Sequence, residues 1–298
     1  MKVLITGASG FIGARLLDAA IGAWGKENVL ALSSMKNEKC ETIVYDLQGD
    51  GLALADSEVL LLHEVTLLIH AGAFTPKSAA ESNDIERCNQ NISFTQQLMN
   101  LPFANLKKII YISTLDVYAP SALISESSVA LPATLYGWSK LYCEQLVSVH
   151  AHEKSLSRQI LRVGHVYGPG EEKYAKFLPR AIRAIVSGES VELYGDGAEL
   201  RSFIYIDDVI KAIFSAVDLT DNVGVINIVG GKALSIKEVL DCLISISGKD
   251  VPILTRVFAG VKRDLVFDTQ LMNEKLLPVE KDFMSGLKEE YDYFAKMK

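Results

Sequence analysis

The chain has 298 residues, of which 49% are hydrophobic, and its formal net charge is −7. This length and composition allow a sizeable core in one large or two modest domains, whereas the acidic balance argues against nucleic acid as a partner. The cysteines lie far apart in the sequence, which speaks against a disulfide framework and a metal site. The same cysteine pattern favours a cytoplasmic protein, and because no segment reaches the roughly 18 apolar residues of a membrane span, we expect no membrane partner.

Short apolar runs alternate with amphipathic segments along the first 170 residues. Helical spacing follows Gly10 and returns over 85–99 and 135–150. This alternation is typical of parallel strands joined by crossover helices. It predicts an α/β fold with a doubly wound parallel sheet. The predicted strands cover 3–5, 29–32, 42–47, 67–73 and 107–114, and a sixth strand and its exit loop cover 159–170.

The composition changes after Gly170, and the pattern becomes less regular. Helical segments are predicted around 177–186, from Asp207 onward and over 235–246, with strand-like runs at 201–206 and 225–231. We therefore expect a dinucleotide-binding domain over 1–166 and a smaller C-terminal α/β domain over 167–298 that binds substrate. Part of 201–230 is expected to pack back on the first domain.

The segment TGASGFIG connects the first predicted strand to the first predicted helix. Gly7, Gly10 and Gly13 are spaced three apart in it. The first glycine permits a tight turn, the second lets backbone approach a phosphate, and the third lets the helix pack close to the strand. A pyrophosphate would then accept the free N–H groups at the helix start. The segment predicts a dinucleotide site, and the lack of a following GK[ST] excludes a P-loop.

This GxxGxxG spacing, with Thr6 before it, resembles the extended short-chain dehydrogenase/reductases, and in particular the NAD-dependent epimerase/dehydratase family. The resemblance implies a Rossmann sheet, an NAD or NADP cofactor, a nucleotide-sugar substrate and a homodimer formed through helices near 85–99 and 135–150. It also implies further cofactor contacts at Ser9, Phe11, Ile12, Asp46, Leu47, Ala71, Gly72, Ala73 and Val163.

The segment YGWSK places Tyr136 and Lys140 four residues apart, on one face of a predicted helix. A nearby ammonium and a cationic nicotinamide would both lower the pKa of the tyrosine from about 10, which makes Tyr136 a candidate general acid and base. The resemblance adds Thr114 as a hydrogen-bond partner of the reacting oxygen, in preference to Ser113. Tyr136 and Lys140 would also contact the cofactor.

Dehydratases of the family place two acidic residues directly after that threonine. Here the two positions hold Leu115 and Asp116. Dehydration needs the additional acid/base pair, so the replacement disfavours a dehydratase. We interpret Asp116 as a solvated loop carboxylate rather than a catalytic one.

NAD-preferring relatives usually carry an acid at the end of the second strand, where it bonds the ribose hydroxyls. This chain has Ser33 and Ser34 there, followed by Lys36. The missing carboxylate removes repulsion against a 2′-phosphate, and the lysine could pair with it. We therefore favour NADP over NAD, with Ser33 and Lys36 as contacts.

Other segments resemble the substrate pocket of nucleotide-sugar enzymes. Arg201 would clamp a phosphate or ribose, because its guanidinium is always charged and can bond twice, and Arg263 would hold the diphosphate, with Arg256 as its rival. His165 stands where the family usually has asparagine, so either a substrate contact or a neutral core histidine is possible there. The resemblance implies substrate contacts at Thr75, His165, Tyr194, Arg201 and Arg263.

Taken together, these motifs predict an NAD(P)-dependent enzyme that acts at C4 of a nucleotide-linked sugar. We favour a 4-keto-6-deoxy nucleotide-sugar reductase. The alternative is a nucleotide-sugar 4-epimerase that holds NAD tightly, and a further alternative is a non-catalytic NADP-binding sensor. Such sensors tend to lose the catalytic tyrosine or lysine, and both are present here.

Overall fold

A computed structural model describes residues 1–45, 52, 54–220, 222–258 and 262–297. The strands in this part of the chain are β1 (Lys2–Thr6), β2 (Val29–Ser33), β3 (Glu41–Val44), β4 (Val65–His70), β5 (Lys108–Thr114), β6 (Ser157–Val163), β7 (His165–Tyr167), β8 (Val191–Tyr194), β9 (Leu200–Tyr205), β10 (Val225–Ile228), β11 (Ala233–Ser235) and β12 (Ile253–Arg256). The helices are α1 (Phe11–Trp24), α2 (Asp56–His63), α3 (Ile85–Met99), α4 (Leu135–Glu153), α5 (Phe177–Ser187), α6 (Ile206–Asp218), α7 (Ile236–Ser247), α8 (Gln270–Lys275) and α9 (Phe283–Lys296).

The central sheet of the described residues has seven parallel strands in the order β3-β2-β1-β4-β5-β6-β10. This confirms the predicted doubly wound parallel sheet. The strand order reverses between β1 and β4, and open sheets of this kind bind ligands outside the carboxyl ends at such a reversal. Two small sheets, β11-β9-β7 and β12-β8, lie in the C-terminal part.

Long apolar runs explain why the central strands are buried on both faces. The side chains of Val3, Leu4 and Ile5 in β1 are fully buried, as expected for a parallel strand covered by helices on each side. Helix α4 begins after Thr134, whose side chain accepts the Gly137 N–H at 3.1 Å, a favourable N-cap. Its bounds and those of α3 agree with the helices predicted over 135–150 and 85–99.

The segment 56–73 differs from the prediction. The strand expected over 67–73 is β4, which begins at Val65 and ends at His70, so residues 71–73 form a turn. Helix α2 precedes it and was not predicted, because its apolar residues 59–62 run consecutively and lack helical spacing. The Glu58 carboxylate accepts the Ala55 N–H at 2.8 Å and so caps the start of this helix.

The last strand of the central sheet comes from the C-terminal half of the chain. β10 pairs in parallel with β6, with Val225 opposite Ile160, and helix α6 packs against α1. Helices α5, α7 and α9 pack on one another beside the small sheets. Residues 225–228 thus extend the central sheet; they follow the predicted boundary at 166 and belong to the stretch 201–230, part of which was expected to pack back on the first domain.

Three sequence-level expectations concern features other than the sheet. Within the described ranges, no helix has the combined length and apolar character needed to cross a bilayer. In the same part of the chain, no group of three or more His, Cys, Asp or Glu side chains could hold a metal ion. The cysteines Cys40, Cys88, Cys143 and Cys242 are free thiols.

A buried ion pair ties helix α4 to the centre of the sheet. The Arg162 guanidinium on β6 donates to both carboxylate oxygens of Glu144, from Nε at 2.9 Å and from Nη2 at 2.6 Å. The Ser113 hydroxyl on β5 donates to the same carboxylate. Glu144 is 1% exposed and Arg162 is 6% exposed. Since both carboxylate oxygens are bonded, the charge is satisfied inside the protein.

Replacing Glu144 with glutamine should strongly destabilise the protein. The Glu144→Gln variant leaves the Arg162 cation buried without its counter-charge, and breaking such a pair costs about 3–5 kcal/mol of unfolding free energy. Glu153→Gln, at the exposed end of the same helix, should change it by less than about 0.5 kcal/mol. Chemical denaturation of the two variants measures both values, and equal effects would contradict the importance of the pair.

Candidate active site

A cleft of about 870 Å³ opens at the carboxyl ends of β1, β4, β5 and β6. Its walls combine the glycine turn, the turn after β4, the end of β5, the start of α4 and the segment that follows β6. Most of the predicted site residues line it, namely Gly7, Ser9, Gly10, Phe11, Ile12, Gly13, Ala71, Gly72, Ala73, Thr75, Thr114, Tyr136, Lys140, Val163, His165 and Arg201.

The glycine turn has the backbone geometry that a bound phosphate requires. Gly7 has a φ of +74°, which L-residues with a side chain rarely adopt, and a Cβ there would lie 2.6 Å from the Gly72 Cα. A Cβ at Gly13 would overlap the Gly7 carbonyl oxygen. Gly10 caps helix α1, and no side chain of the described residues caps its N–H groups. These donors fit a pyrophosphate.

The second-strand residues predicted to select the cofactor are placed differently. Ser33 ends β2 and is buried, whereas the next residue, Ser34, lines the cleft. Lys36 is exposed and lies outside the cleft lining. The predicted contacts Asp46 and Leu47 lie outside the described residues. Neither Ser33 nor Lys36, the two residues predicted to contact NADP, lines the cleft. Strand β2 ends at Ser33, and the following Ser34 faces the cleft instead.

Tyr136 and Thr114 meet at the centre of the cleft, as their predicted roles require. Tyr136 lies in the first turn of α4 and is 6% exposed, and Thr114 is the last residue of β5. The hydrogen-bonding neighbours of the Tyr136 hydroxyl are the side chains of Thr75 and Thr114. The structure thus brings two predicted hydroxyls and the candidate acid/base to one point.

Lys140 lies one helical turn after Tyr136 and is 3% exposed. Its ammonium donates to the Ile112 carbonyl oxygen at 2.8 Å and lies 4.3 Å from the centroid of the Tyr111 ring. Burial lowers the pKa of Lys140 to about 8. A backbone carbonyl and an aromatic face therefore hold this cation in the wall of the cleft.

The pKa of Tyr136 departs from the sequence-based expectation. Burial raises the pKa of Tyr136 and the Asp116 carboxylate raises it further, while the contacts with Thr75 and Thr114 lower it. The protein by itself therefore favours the neutral phenol. The expected lowering would depend on the positive charge of an oxidised nicotinamide, which favours the phenolate.

Asp116, interpreted from the sequence as a solvated loop carboxylate, is exposed to the cleft and lies beside Thr114. The Thr114 hydroxyl donates to its Oδ2 at 3.4 Å, and the Asp116 N–H donates to the Thr114 hydroxyl at 3.3 Å. Solvent in the cleft reaches the carboxyl, but the surrounding protein raises its pKa, and the charges of Arg263 and Lys176 oppose this rise. The signal in the sequence was its place two residues after Thr114.

A positive region surrounds His165 at the other end of the cleft. Burial and the nearby Arg201, Lys176 and Arg263 lower the pKa of His165 to about 3, so this imidazole is neutral at physiological pH. Its ring packs edge to face on Phe203 with centroids 5.9 Å apart. Nδ1 of His165 is buried and has no hydrogen-bond partner among the described residues. Sequence reasoning missed Lys176, which lines the cleft.

The two predicted arginines lie side by side. Nη1 of Arg201 donates to the Arg263 carbonyl at 2.5 Å and Nη2 donates to Glu199 at 2.9 Å. Nη2 of Arg263 donates to the Tyr118 carbonyl at 2.8 Å. Arg201 lines the cleft, and Arg263 is close enough to Asp116 to influence its titration. The pair concentrates positive charge where an anionic substrate group would lie.

Tyr194 and Arg256 are placed away from this region. Both lie on the two-stranded sheet β8-β12, outside the cleft lining. The Tyr194 hydroxyl donates to Glu192 at 3.1 Å, and Arg256 pairs with the same carboxylate at 3.1 Å. Arg263 is also outside the cleft lining, but it lies near His165 and Asp116, whereas Arg256 and Tyr194 lie on the separate two-stranded sheet.

Two buried carboxyl groups join the cleft to helix α9. Glu171, which lines the cleft, is 2% exposed, and Glu290 on α9 is 0% exposed. The two side chains are close enough for the charge of Glu171 to raise the pKa of Glu290, and neither Glu290 oxygen has a hydrogen-bond partner among the described residues. Burial raises the pKa of Glu171 to about 7, and burial and the Glu171 charge raise that of Glu290 well above its usual range. Two carboxylates at one buried place cannot both ionise easily, so the pair retains a proton.

The contribution of this pair to stability should therefore fall as pH rises. A carboxyl whose pKa is raised on folding stabilises the protein fully below its unfolded pKa, and the contribution is lost as pH rises through the folded pKa. The window for Glu171 runs from about 4.5 to about 7. In Glu290→Gln, the neutral amide should bond the Glu171 carboxylate at any pH, so the decline of unfolding free energy between about pH 5 and 8 should be shallower.

Denaturation at a series of pH values measures this slope. Glu86→Gln, at an exposed position in the first turn of α3, is the matched control and should keep the wild-type slope. Identical slopes for wild type and Glu290→Gln would contradict a proton shared by the pair.

Comparison with known proteins places this cleft in a defined family. A sequence profile described as NAD dependent epimerase/dehydratase family matches residues 3–229. A UDP-N-acetyl-alpha-D-glucosaminuronate decarboxylase of Bacillus cytotoxicus is 27% identical over 253 residues, which are 80% of this chain and 78% of that protein. An uncharacterised UDP-glucose epimerase of Bacillus subtilis is 27% identical over 265 residues, 84% of this chain and 83% of that protein.

Solved structures resemble the whole chain. UDP-glucuronic acid 4-epimerase from Bacillus cereus, in complex with UDP-glucuronic acid and NAD, has a TM-score of 0.85 at 27% identity, with both chains fully covered. UDP-glucose 4-epimerase from Thermotoga maritima, with UDP-glucose, has a TM-score of 0.85 at 25% identity and covers 100% of this chain and 99% of its own. The bound NAD supports NAD as cofactor and gives no support to the predicted preference for NADP.

These similarities agree with the cleft described above, in which a glycine turn, a Tyr/Lys pair and a positive region share one cavity. The family profile covers well over half of the chain. The chain therefore belongs to the NAD dependent epimerase/dehydratase family, whose members are enzymes that act on nucleotide sugars.

Proposed function

We propose that this protein is a nucleotide-sugar 4-epimerase that uses NAD. The observation that carries the proposal is one continuous cleft, which runs from the glycine turn past Tyr136 to the positive region around His165. The 4-epimerases with similar structures support inversion at C4. They favour the alternative from our sequence analysis over the reductase.

The residues of the cleft fit a dinucleotide. The uncapped start of α1 and the turn held between Gly7 and Gly72 suit its pyrophosphate. Ala73, Val163 and Lys140 line the same cleft, and the nicotinamide half would lie against them. When bound, the nicotinamide supplies the hydride acceptor and donor.

Tyr136 would move the proton of the C4 hydroxyl. It would take this proton as C4 is oxidised and return it when the opposite configuration forms. Thr114 would hydrogen-bond the same oxygen from the end of β5, and Lys140, one helical turn further along α4, would hold a positive charge in the wall of the cleft. Because Tyr136 is 6% exposed, bulk water is largely kept from the proton transfer.

The other end of the cleft suits a diphosphate. Arg201, Arg263 and Lys176 supply positive charge there, and neutral His165 can offer a hydrogen bond from a ring nitrogen. An arginine can bond phosphate oxygens twice. This arrangement would direct the sugar toward Tyr136 and the diphosphate toward β9.

One observation favours the reductase as a second candidate. The raised pKa of Tyr136 keeps the phenol protonated in the protein alone, and a neutral phenol is the form that gives a proton to a carbonyl oxygen. A reductase would consume a reduced cofactor with each sugar, whereas an epimerase would not. The non-catalytic sensor is disfavoured, because Tyr136, Lys140 and Thr114 all line the cleft.

The first experiment is incubation with NAD and a panel of UDP-hexoses and UDP-hexuronic acids, followed by NMR of the sugar. We expect inversion at C4 of one substrate without net change in cofactor. Tyr136→Phe should lower the rate about 100-fold or more, since it removes the general acid and base. Tyr293→Phe, on α9 and outside both the cleft and the groove between α3 and α4, should leave the rate unchanged.

Other outcomes would overturn the epimerase. Loss of CO₂ or of water without inversion would indicate a decarboxylase or a dehydratase. Stoichiometric oxidation of NADH or NADPH by 4-keto-6-deoxy nucleotide sugars would indicate the reductase. Full activity of Tyr136→Phe would contradict the role of this residue in either reaction.

We also propose that the protein is a homodimer formed through α3 and α4. A groove of about 610 Å³ between these helices is lined mainly by apolar side chains. Ile85, Trp138 and Tyr142 around it are 68%, 47% and 53% exposed. A contiguous exposed apolar surface of this kind marks an interaction site, and two copies would cover it symmetrically.

The wild-type protein should therefore sediment as a dimer. Ile85→Glu places a charge in the apolar contact and should shift the protein to monomer, because burying an unpaired charge is costly. Val279→Glu, 76% exposed and outside the groove, is the matched control and should remain dimeric. Analytical ultracentrifugation measures the masses, and a dimeric Ile85→Glu would exclude this interface.

A further inference from the structure

A row of buried polar groups runs beneath the cleft, from the glycine turn to helix α4, which carries Tyr136. Its side chains are Thr6, His70, Thr95, Asn91 and Ser139, each at most 3% exposed. His70 lies between two hydroxyls: Thr6 Oγ1 is 2.8 Å from Nδ1 and Thr95 Oγ1 is 3.0 Å from Nε2. Thr95 Oγ1 is also 2.8 Å from the backbone oxygen of Asn91. The Asn91 side-chain Nδ2 is 3.3 Å from Ser139 Oγ, which is 2.8 Å from the backbone oxygen of Tyr136.

The available protons give this row one direction. At the catalytic end, the Ser139 hydroxyl donates to the Tyr136 carbonyl and accepts from the Asn91 amide. The Thr95 hydroxyl gives its single proton to the backbone carbonyl of Asn91. A hydroxyl has one proton to donate, so Thr95 accepts the bond from Nε2–H of His70.

The other ring nitrogen of His70 then accepts. The Gly72 N–H donates to the Thr6 hydroxyl at 2.8 Å, and that hydroxyl gives its own proton to His70 Nδ1. His70 is thus the neutral Nε2–H tautomer, assigned from its partners. Burial and the charge of Lys140 lower the pKa of His70 well below its usual value, in agreement with a neutral ring.

Both ends of the row act on backbone that lines the cleft. At one end, the bond from Gly72 to Thr6 sets the close approach of Gly72 to Gly7. At the other end, Asn91 accepts the Phe74 N–H at 2.7 Å and donates to the Phe74 carbonyl at 3.2 Å. The Phe74 ring lies edge to face on Tyr136, with centroids 6.5 Å apart.

We propose that His70 is a positioning residue, which couples the seating of the dinucleotide on the glycine turn to the placement of Tyr136. The proposal rests on the proposed function for its catalytic part, since it assigns Tyr136 the proton transfer. His70 itself touches neither the cleft nor the reacting atoms. Its imidazole joins the two halves of the row, because Nδ1 accepts the bond from Thr6 and Nε2–H donates the bond to Thr95.

A histidine that merely fills the core would have no such effect on the cofactor. Removing one member of a buried polar network leaves its neighbours without partners and disturbs groups further along. Thr95 is the best place to interrupt the row, because it lies on α3 outside the cleft lining. Valine has nearly the same shape as threonine but lacks the hydroxyl, whereas serine keeps it.

The test measures the Kd of the cofactor by calorimetry for the full chain, with NAD or NADP, whichever binds the wild type more tightly. Thr95→Val should raise this Kd about tenfold and lower kcat at saturating cofactor, while Thr95→Ser should stay within about twofold. Thr66→Val, on the far end of the same strand as His70, should leave the Kd unchanged. A Thr95→Val variant that binds like wild type would overturn the proposal.

A double-mutant cycle tests the coupling itself. If Thr6 and Thr95 act through His70, the Thr6→Val/Thr95→Val variant should lose about tenfold in affinity, no more than either single variant. Independent effects would multiply to about 100-fold and would overturn the coupling. If Thr95→Val does not fold, Thr95→Cys replaces it, because its thiol keeps a weak donor. Thr95→Cys should then raise the Kd by less than tenfold, and an unchanged Kd would contradict the proposal.

These measurements separate this inference from the proposed function. The Kd values are read without any sugar, so the coupling is tested even if no sugar of the panel is converted. Failure of both cofactors to bind the wild type would overturn the inference and the proposed function together. If the wild type binds its cofactor and the effects of Thr6→Val and Thr95→Val on the Kd are independent, only this inference would be overturned.

Discussion

The buried pair of Glu144 and Arg162 is the constraint on which the geometry of the cleft depends. Tyr136, Lys140 and Glu144 follow one another at four-residue intervals on α4, so they share one face of the helix. Fixing Glu144 on β6 through two charge-assisted bonds fixes the rotation of that face. Tyr136 and Lys140 then point to the carboxyl ends of the strands.

The same pair also organises the loop that carries Asp116. The Arg162 guanidinium lies 4.7 Å from the centroid of the Tyr118 ring, and the Tyr118 hydroxyl donates to Asn227 on β10 at 2.7 Å. The loop after β5 is thus held from below, and Thr114 and Asp116 are presented to the cleft. A buried ion pair adds little net stability compared with an apolar core, so its contribution here is placement.

Sequence pattern was sufficient for the sheet and for part of the site. The strand runs and the glycine spacing depend on local sequence, and so does the i, i+4 relation of Tyr136 and Lys140. Pattern could not decide whether Ser33 or Ser34 faces the cleft, because a shift of one residue at a strand end changes the side that a residue faces. It also could not show that Asp116 approaches Tyr136.

The remaining features required contacts between residues distant in the chain. Glu171 and Glu290 form their buried pair from segments 119 residues apart, and each alone reads as an ordinary surface glutamate. His70 reads as an interruption in an apolar strand, and its two partners come from β1 and α3. Such pairings arise from the fold, so single-sequence reasoning had no signal for them.

The choice between epimerase and reductase depends on retention of the cofactor as well as on Tyr136. An epimerase keeps its nicotinamide through two hydride transfers, whereas a reductase exchanges it after each turnover. The segment 168–176 covers the first turn of α1, where the Tyr174 ring lies 6.2 Å from the Phe11 ring and a Cβ at Gly170 would lie 3.3 Å from the same ring.

This covering segment is held at its other side by the carboxyl pair. Lifting it from Phe11 would draw Glu171 away from Glu290 and open the buried place in which the two carboxyl groups retain a proton. The glycine turn is thus covered by a segment with an anchor of its own. We expect this anchoring to slow the release of a dinucleotide bound on the turn. Slow release suits an epimerase, which returns its hydride to the same sugar, better than a reductase, which must release its cofactor after each turnover.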